Sequence, residues 1–284
     1  MNELEVSELQ KIIDESDNIV FFGGAGVSTS SGIKDFRGKN GLYKSVTDYP
    51  PEYLLSSACF YKEPELFFEF YKNNLNSLNK EPNIVHKYLK KLEDIGKLKA
   101  IISQNIDGLH QSAGATNVLE IHGSIYQNYC LSCNKSYEAK YVFESIGIPK
   151  CSCGGIIKPD VVLYGEMLPN DTLNKACIAI SNADLLIVAG TSLTVEPAAS
   201  MINLFKGKNL VILNDSKTPY DNVATLVIHA DLKDIFENLK AWLIKLTQNK
   251  QFILKNDFCF IIMVISDELW KNGNWNCLNI YKKI

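Results

Sequence analysis

The sequence predicts an α/β fold: a doubly wound parallel sheet with helices on both faces, plus a smaller module made of insertions between its strands. Three observations predict it. Short apolar runs alternate with stretches of helical periodicity, the pattern of a parallel sheet whose crossovers are helices. The first run, Asn18 to Phe22, enters a glycine turn at Gly23 and Gly24, the usual opening of a nucleotide-binding unit. Two stretches, residues 39–82 and about 126–158, interrupt the alternation and read as insertions.

Leu4, Val6, Leu9, Ile12 and Ile13 recur at helical spacing before that first strand. The aromatic-rich stretch 39–82 is partly helical, with a break at Pro50-Pro51 and a helix over Glu63 to Leu75. Asn83 to Ile95 reads as a helix closed by Gly96; a strand over Lys99 to Ser103, a short helix near 107–113 and a strand over Val118 to Ile121 follow. Strands at Asp184 to Gly190 and Asn209 to Asn214, then a helix over Asp234 to Leu246, complete the domain. Ligands of such sheets sit at the carboxyl ends of the strands. Each strand here ends in a candidate group: Gly24, Gln104, His122, Gly190 and Asn214. The stretch Lys250 to Ile284, with Trp270, Trp275, Cys259 and Cys277, continues neither periodicity and reads as an extension without a catalytic role.

Composition excludes several classes. With 46% hydrophobic residues in 284, the chain can bury a proper core and is neither disordered nor fibrous. A net charge of -3 offers no broad footprint for nucleic acid. The longest apolar run, Phe258 to Ile265, is eight residues, short of the roughly 18 that span a membrane. The acidic, amphipathic start lacks the pattern of a secretion signal, so a cytoplasmic protein is expected. Eight cysteines in that setting point to metal or free thiols rather than disulfides.

Four motifs carry chemistry. The chain has 28 lysines and one arginine, and that arginine, Arg37, falls in the glycine- and serine-rich stretch 23–38. Lysine cannot reproduce the planar fork by which arginine holds a phosphate or carboxylate, so this loop is expected to meet an anionic ligand. Gly24-x-Gly26 lets backbone amides approach a pyrophosphate, but Thr29 stands where a dinucleotide fingerprint has its third glycine, and no strand ending in an acidic residue follows about 20 positions on. A standard hydride-transfer enzyme is disfavoured. Cys130-x-x-Cys133, seventeen intervening residues, then Cys151-x-Cys153 read as a four-sulfur tetrahedral zinc site, structural because no protein position is left open for water. Finally, Gln104-Asn105-Ile106-Asp107 at one strand end supplies amides and a carboxylate able to read ribose hydroxyls and a carboxamide. His122 beside Gly123 at another end suits a general base near neutral pH, whereas His110, at a helix start, reads as structural.

Together these motifs resemble the sirtuins, NAD-dependent protein lysine deacylases, over residues 5 to about 248. The resemblance rests on Gly24–Ser28, Gly32–Arg37, Gln104–Asp107, His122-Gly123, the four cysteines, Val161–Glu166, Gly190–Ser192 and Asn214, all in family order. It implies a Rossmann-like doubly wound sheet in a catalytic domain over 1–248, a helical insertion and a zinc module, with 249–284 outside it. It implies that Gly24, Ala25, Gly26, Ser28, Thr29, Phe36 and Arg37 line the diphosphate and ribose region of NAD. Gln104 would bind ribose, Asn105, Ile106 and Asp107 the nicotinamide, and Gly190, Thr191, Ser192, Asn214 and Asp231 the adenosine half. Val162, Gly165 and Glu166 would pair with the backbone of an acyl-lysine peptide by strand addition.

In the implied reaction the acyl oxygen attacks the ribose carbon as nicotinamide leaves. His122 then takes a proton from a ribose hydroxyl that attacks the acyl carbon, with Asn105 the other catalytic residue. The products are free lysine, nicotinamide, itself an inhibitor, and O-acyl-ADP-ribose. Two positions depart from the family: Lys34 stands where proline is usual, and Tyr71 and Asn74 stand where relatives that remove acidic acyl groups carry Tyr-x-x-Arg. Uncharged acyl groups are therefore expected. The alternatives are an NAD-dependent ADP-ribosyltransferase and a non-enzymatic NAD-binding zinc module.

Overall fold

The structure is a computed structural model that describes residues 3–36, 38, 41–44 and 48–240. Arg37, the predicted extension 249–284 and the end of the helix predicted to reach Leu246 lie outside the described residues.

Helix α1 (Glu3–Glu15) buries Val6, Leu9, Ile12 and Ile13. Strand β1 (Ile19–Gly23) is buried along its length, which a continuous apolar run allows and an alternating one would not. The first insertion holds α2 (Pro51–Leu54), α3 (Ser57–Lys62) and α4 (Pro64–Leu75). Ser56 caps α3 by accepting the Cys59 N–H, and Pro64 opens α4 where its missing N–H leaves no bond unmade. Helix α5 (Ile84–Asp94) starts at Asn83, whose side chain accepts the Val85 N–H at 2.9 Å. Next come β2 (Leu98–Ser103), α6 (Leu109–Ser112) and β3 (Val118–Glu120). The second insertion comprises β4 (Gly123–Cys130), β5 (Ser136–Tyr137), α7 (Ala139–Glu144) and β6 (Ile157–Val161). The chain closes through α8 (Asn170–Asn182), β7 (Leu185–Ala189), β8 (Asn209–Leu213), β9 (Leu226–Ile228) and α9 (Leu232–Glu237).

Six strands form one parallel sheet in the order β3-β2-β1-β7-β8-β9. Their order runs outward from β1 to β3 and, on the other side, from β7 to β9. Loops leaving β1 and β7 therefore diverge, and a crevice opens at their carboxyl ends. This is the predicted doubly wound sheet. Strands β5-β4-β6 make a separate antiparallel sheet. One core cluster packs against one face of the large sheet, including Val20, Phe22, Ile102, Val188 and Ile212. A second unites the insertions, with Phe60, Phe67, Phe68 and Tyr71 against Cys130, Ile157 and Val161. Each fully buried side chain of this kind contributes about 1.5–3 kcal/mol by leaving water.

His110 lies in the core, as its position predicted. Its ring meets that of His86 edge to face at 4.7 Å, and neither of its nitrogens has a protein partner. Burial lowers the pKa of His86 to about 4, and burial together with the neighbouring His86 lowers that of His110 to about 3. Both pKa values lie below the unfolded value of about 6.5, so the unfolded chain binds more protons and stability falls as pH drops from about 6.5 towards 4. Buried Asp107 and Glu120, whose pKa values are raised chiefly by burial, act in the opposite sense. A difference between variants isolates the histidines. We expect the thermal midpoint of His110→Leu to lose less than that of the parent between pH 6.5 and pH 4; parallel profiles would contradict this.

Candidate active site and metal centre

A cavity of about 420 Å³ runs across the carboxyl ends of the large sheet. Ala25, Gly26, Ser28, Thr29, Phe36, Gln104, Asn105, Ile106, Asp107, His122, Gly190, Thr191, Ser192, Asn214 and Asp231 all line it, as do Val162, Gly165 and Glu166. Residues from seven separate loops thus converge. Gly24 lies beneath this wall, where its N–H donates to Ala189 O at 3.0 Å. Close approach explains the glycines: a Cβ on Gly24 would sit 2.6 Å from Thr191 Cβ, and one on Gly26 2.7 Å from Gly190 Cα. The loop continues as a 3-10 helix, Ala25–Ser31, rather than the α-helix of a dinucleotide fingerprint.

Ser28 is fully buried and links the site's polar groups. Asn105 Nδ2 donates to Ser28 Oγ at 3.1 Å, and Ser28 Oγ donates to Asp107 Oδ2 at 2.6 Å. The Leu109 N–H satisfies the other oxygen of Asp107. Burial raises the pKa of this carboxyl, while Ser28 and the Leu109 amide pull it back down. Gln104 Nε2 donates to Thr191 Oγ1 at 3.1 Å, joining the ends of β2 and β7. Asn214 is held by its own turn through Ser216 O at 2.8 Å, and Asp231 caps α9 by accepting the Lys233 N–H at 2.8 Å.

His122 follows β3, with Nδ1 2.9 Å from Gln104 O. A carbonyl only accepts, so Nδ1 carries the proton and Nε2 is left as the basic nitrogen. Burial lowers this histidine's pKa and the Gln104 carbonyl partly restores it, a balance that favours the neutral ring.

The segment Val161–Glu166 joins the two insertions to the site. Val162 N–H donates to His122 O at 2.9 Å, and Tyr164 N–H donates to Leu55 O at 3.0 Å. Tyr164 also shares a hydrogen bond of 2.5 Å between hydroxyls with Tyr43, whose N–H donates to Phe36 O. Glu166, expected to pair with a peptide through its backbone, turns its carboxylate inward to the Leu163 N–H at 2.9 Å and to Lys158 Nζ at 3.2 Å. Tyr71 and Asn74 do not line the cavity. Tyr71 is stacked between Phe67 and Phe143 at 5.6 and 5.3 Å, and Asn74 Nδ2 donates to Phe70 O. Leu55, Leu75 and Ser77 line that side instead. Among the described lining residues, Lys34 is the one lysine or arginine.

In the second insertion the sulfurs of Cys130, Cys133, Cys151 and Cys153 all lie within 4.8 Å of one another. Separations of 3.5 Å (Cys130 to Cys153, Cys133 to Cys153) and 3.6 Å (Cys133 to Cys151) approach the roughly 3.8 Å that tetrahedral Zn–S bonds of about 2.3 Å require. Four sulfurs this close cannot all ionise unaided. The Cys153 N–H, with further donors, draws the Cys151 thiol down to about 5; Cys153, despite an N–H from Gly155, is pushed up to about 12 by its sulfur neighbours. A divalent cation removes that conflict, so the donor set fits zinc. Gly155 is needed for the same closeness, since a Cβ there would sit 2.7 Å from Cys130 Sγ.

A profile of the Sir2 family matches residues 24–197. The chain belongs to the Sir2 family. The NAD-dependent protein deacetylase of Clostridium acetobutylicum is 53% identical over 239 residues, covering 83% of this chain and 98% of the relative. That of Clostridium perfringens is 55% identical over 229 residues, covering 79% and 94%. Among solved Sir2 structures, one with a p53 peptide and NAD+ is similar at a TM-score of 0.73 and 39% identity, covering 82% of this chain and 95% of that one. Another, with a deacetylated p53 peptide and 3'-O-acetyl-ADP-ribose, reaches a TM-score of 0.77 at 39% identity, covering 82% and 96%. Within this Sir2 fold, sequence reasoning missed Tyr164 and Lys158, which are recognisable only once the strand preceding Glu166 is placed. No helix of the described residues is long and apolar enough to cross a membrane.

Proposed function

We propose that the protein is an NAD-dependent protein lysine deacetylase. The observation that carries this reading is the convergence of His122, oriented by the Gln104 carbonyl, with the Ser28–Asn105–Asp107 network in one cavity at the sheet's switch point. When bound, NAD supplies a ribose that accepts the acyl group and nicotinamide as the leaving group. The glycine-bounded loop from Gly24 to Thr29, with Phe36, would hold its diphosphate and first ribose, and Arg37 has the fork that a diphosphate fits. Asn105, Ile106 and Asp107 would orient the carboxamide. Gln104 would hold ribose hydroxyls, while Gly190, Thr191, Ser192, Asn214 and Asp231 would receive the adenosine. His122 Nε2 would hold the abstracted proton, and the apolar walls from Leu55, Leu75 and Val162 would pack around the acyl group, with one water consumed as the lysine amine leaves and the ester forms.

An acyl-lysine peptide would add as a strand along Val162, Gly165 and Glu166. The amides of Val162 and Glu166 already donate inside the protein, to His122 O and Leu163 O at 2.9 Å each, so pairing there falls to carbonyl oxygens. We assign the catalytic domain to 1–248, with insertions at about 39–82 and 126–158 and a non-catalytic extension over 249–284. Six described cysteines are free thiols, four of them arranged as a metal site, which supports a reducing, cytoplasmic setting.

Incubation with NAD and acyl-lysine peptides tests the reading. O-acetyl-ADP-ribose and free lysine should form, with nicotinamide inhibiting. Lacking an arginine at position 74 and with apolar Leu55 and Leu75 in the wall, the enzyme should favour acetyl over succinyl peptides by at least about 10-fold. Mass transfer of ADP-ribose to protein, without O-acetyl-ADP-ribose, would instead identify a transferase.

A further inference from the structure

We propose that Lys158 is a positioning residue for the peptide substrate: it fixes the shape of the segment Val161–Glu166 through Glu166. The proposal rests on the deacetylase reading and gives that site one more working part. Lys158 belongs to β6, next to Ile157, which pairs with the zinc ligand Cys130. Its side chain, which ends in an ammonium group, is 6% exposed. Such a cation persists in a core only when its donors are matched. Lysine has three, and three oxygens meet them: Glu166 Oε2 at 3.2 Å, Val161 O at 3.2 Å and Pro159 O at 3.3 Å. The Phe60 ring, 6.0 Å away, covers another side.

All three acceptors lie in residues 159–166, so the ammonium gathers one stretch of chain rather than bridging distant elements. Glu166 completes the gathering. Its Oε2, besides accepting from Lys158, accepts the Leu163 N–H at 2.9 Å, while its own N–H donates to Leu163 O at 2.9 Å. Those bonds close the turn 163–166, in which Gly165 has φ +90°. Upstream of that turn, Val162 N–H is tied to His122 O. The carbonyls left to pair with a peptide are therefore aimed by an ion pair whose buried member, Lys158, lies outside the cavity lining, while Glu166 belongs to the pairing segment itself.

The role predicts a split between the two substrates. In Lys158→Met, which keeps length and loses charge, the KM for an acetyl-lysine peptide should rise about 10-fold or more while the KM for NAD and kcat stay within about 2-fold. Zinc content should match the parent. Glu166→Gln, retaining an oxygen for the Leu163 N–H, should raise the peptide KM in the same way, and the double variant should be no worse than Lys158→Met alone because both delete one interaction. Dissociation constants for a fluorescently labelled acetyl-lysine peptide without NAD should follow the same order, giving a readout independent of turnover. An unchanged peptide KM in both single variants, equal rises in both KM values, or additive effects in the double variant would overturn the proposal. A parent protein that binds peptide without deacetylating it would overturn the deacetylase reading while leaving the binding comparison decisive for Lys158.

Discussion

His122→Ala is expected to lower formation of O-acetyl-ADP-ribose about 10²- to 10⁴-fold, the usual loss on removing a general base, with zinc content and thermal midpoint close to the parent. The fold should survive because the contact this residue makes to the peptide segment is through its backbone carbonyl, at 2.9 Å from Val162 N, and alanine keeps that group. What alanine loses is the imidazole whose Nδ1 is fixed on Gln104 O. The pH profile separates this role from a packing role. A base must be unprotonated to act, and burial places the pKa of His122 below its ordinary value of about 6.5. Activity of the parent should therefore hold from neutral pH to somewhat below 6.5 before an acid limb appears. That limb should vanish from the residual rate of the variant. A variant within a few-fold of the parent, or one with the same acid limb, would remove His122 from the chemistry.

Loss of the metal is the second large effect. The protein should contain one zinc per chain, and Cys130→Ser should abolish both its retention and turnover. Structural zinc contributes an apparent binding energy of about 10–16 kcal/mol to small modules, far above the stability of a three-stranded sheet with a two-residue edge strand. Cys130 and Cys151 share a core cluster with Phe60, Val161 and Leu163, so collapse of the module reaches the cavity wall directly. The cluster of the large sheet contains none of the four ligands. We expect the zinc-free protein to keep most of its helical signal, to melt in two steps, and to lose peptide binding. Full turnover after verified zinc removal would show that the module is dispensable.

Much of the site was legible because each parallel strand is a short apolar run that stops at a glycine or a polar residue. Gly24, Gln104, His122, Gly190 and Asn214 could be placed at strand ends with no knowledge of their neighbours, and the cavity gathers all but Gly24 as lining. Helix α8 was missed because, of its thirteen residues, Ala176 and Ile180 are the buried ones, too few and too small to set a period. Strand β9 is three residues long and the strands of the small sheet mix polar and apolar positions, so neither stands out as an apolar run. The metal site was visible in its spacing alone, since thiolate pairs are chemically specific whatever their backbone. Ser28 and Glu166 mark the opposite limit. Ser28 meets partners at 105 and 107, and Glu166 meets Lys158 through a turn whose closure depends on Gly165, so their inward orientation belongs to tertiary structure and leaves no local pattern.

The central strand also constrains how the chain is made. β1 hydrogen-bonds to β2 on one side and to β7 on the other, so its second neighbour arrives about 160 residues later, on the order of 10–30 s at ribosomal rates of about 5–20 residues per second. Both insertions emerge within that interval. For that time Ile19 to Gly23 presents an open edge whose side chains will all be buried in the finished protein. One edge of β1 is thus still unpaired when the zinc-binding cysteines emerge, which makes early metal capture a way of retiring one sticky surface while the other still waits for its partner.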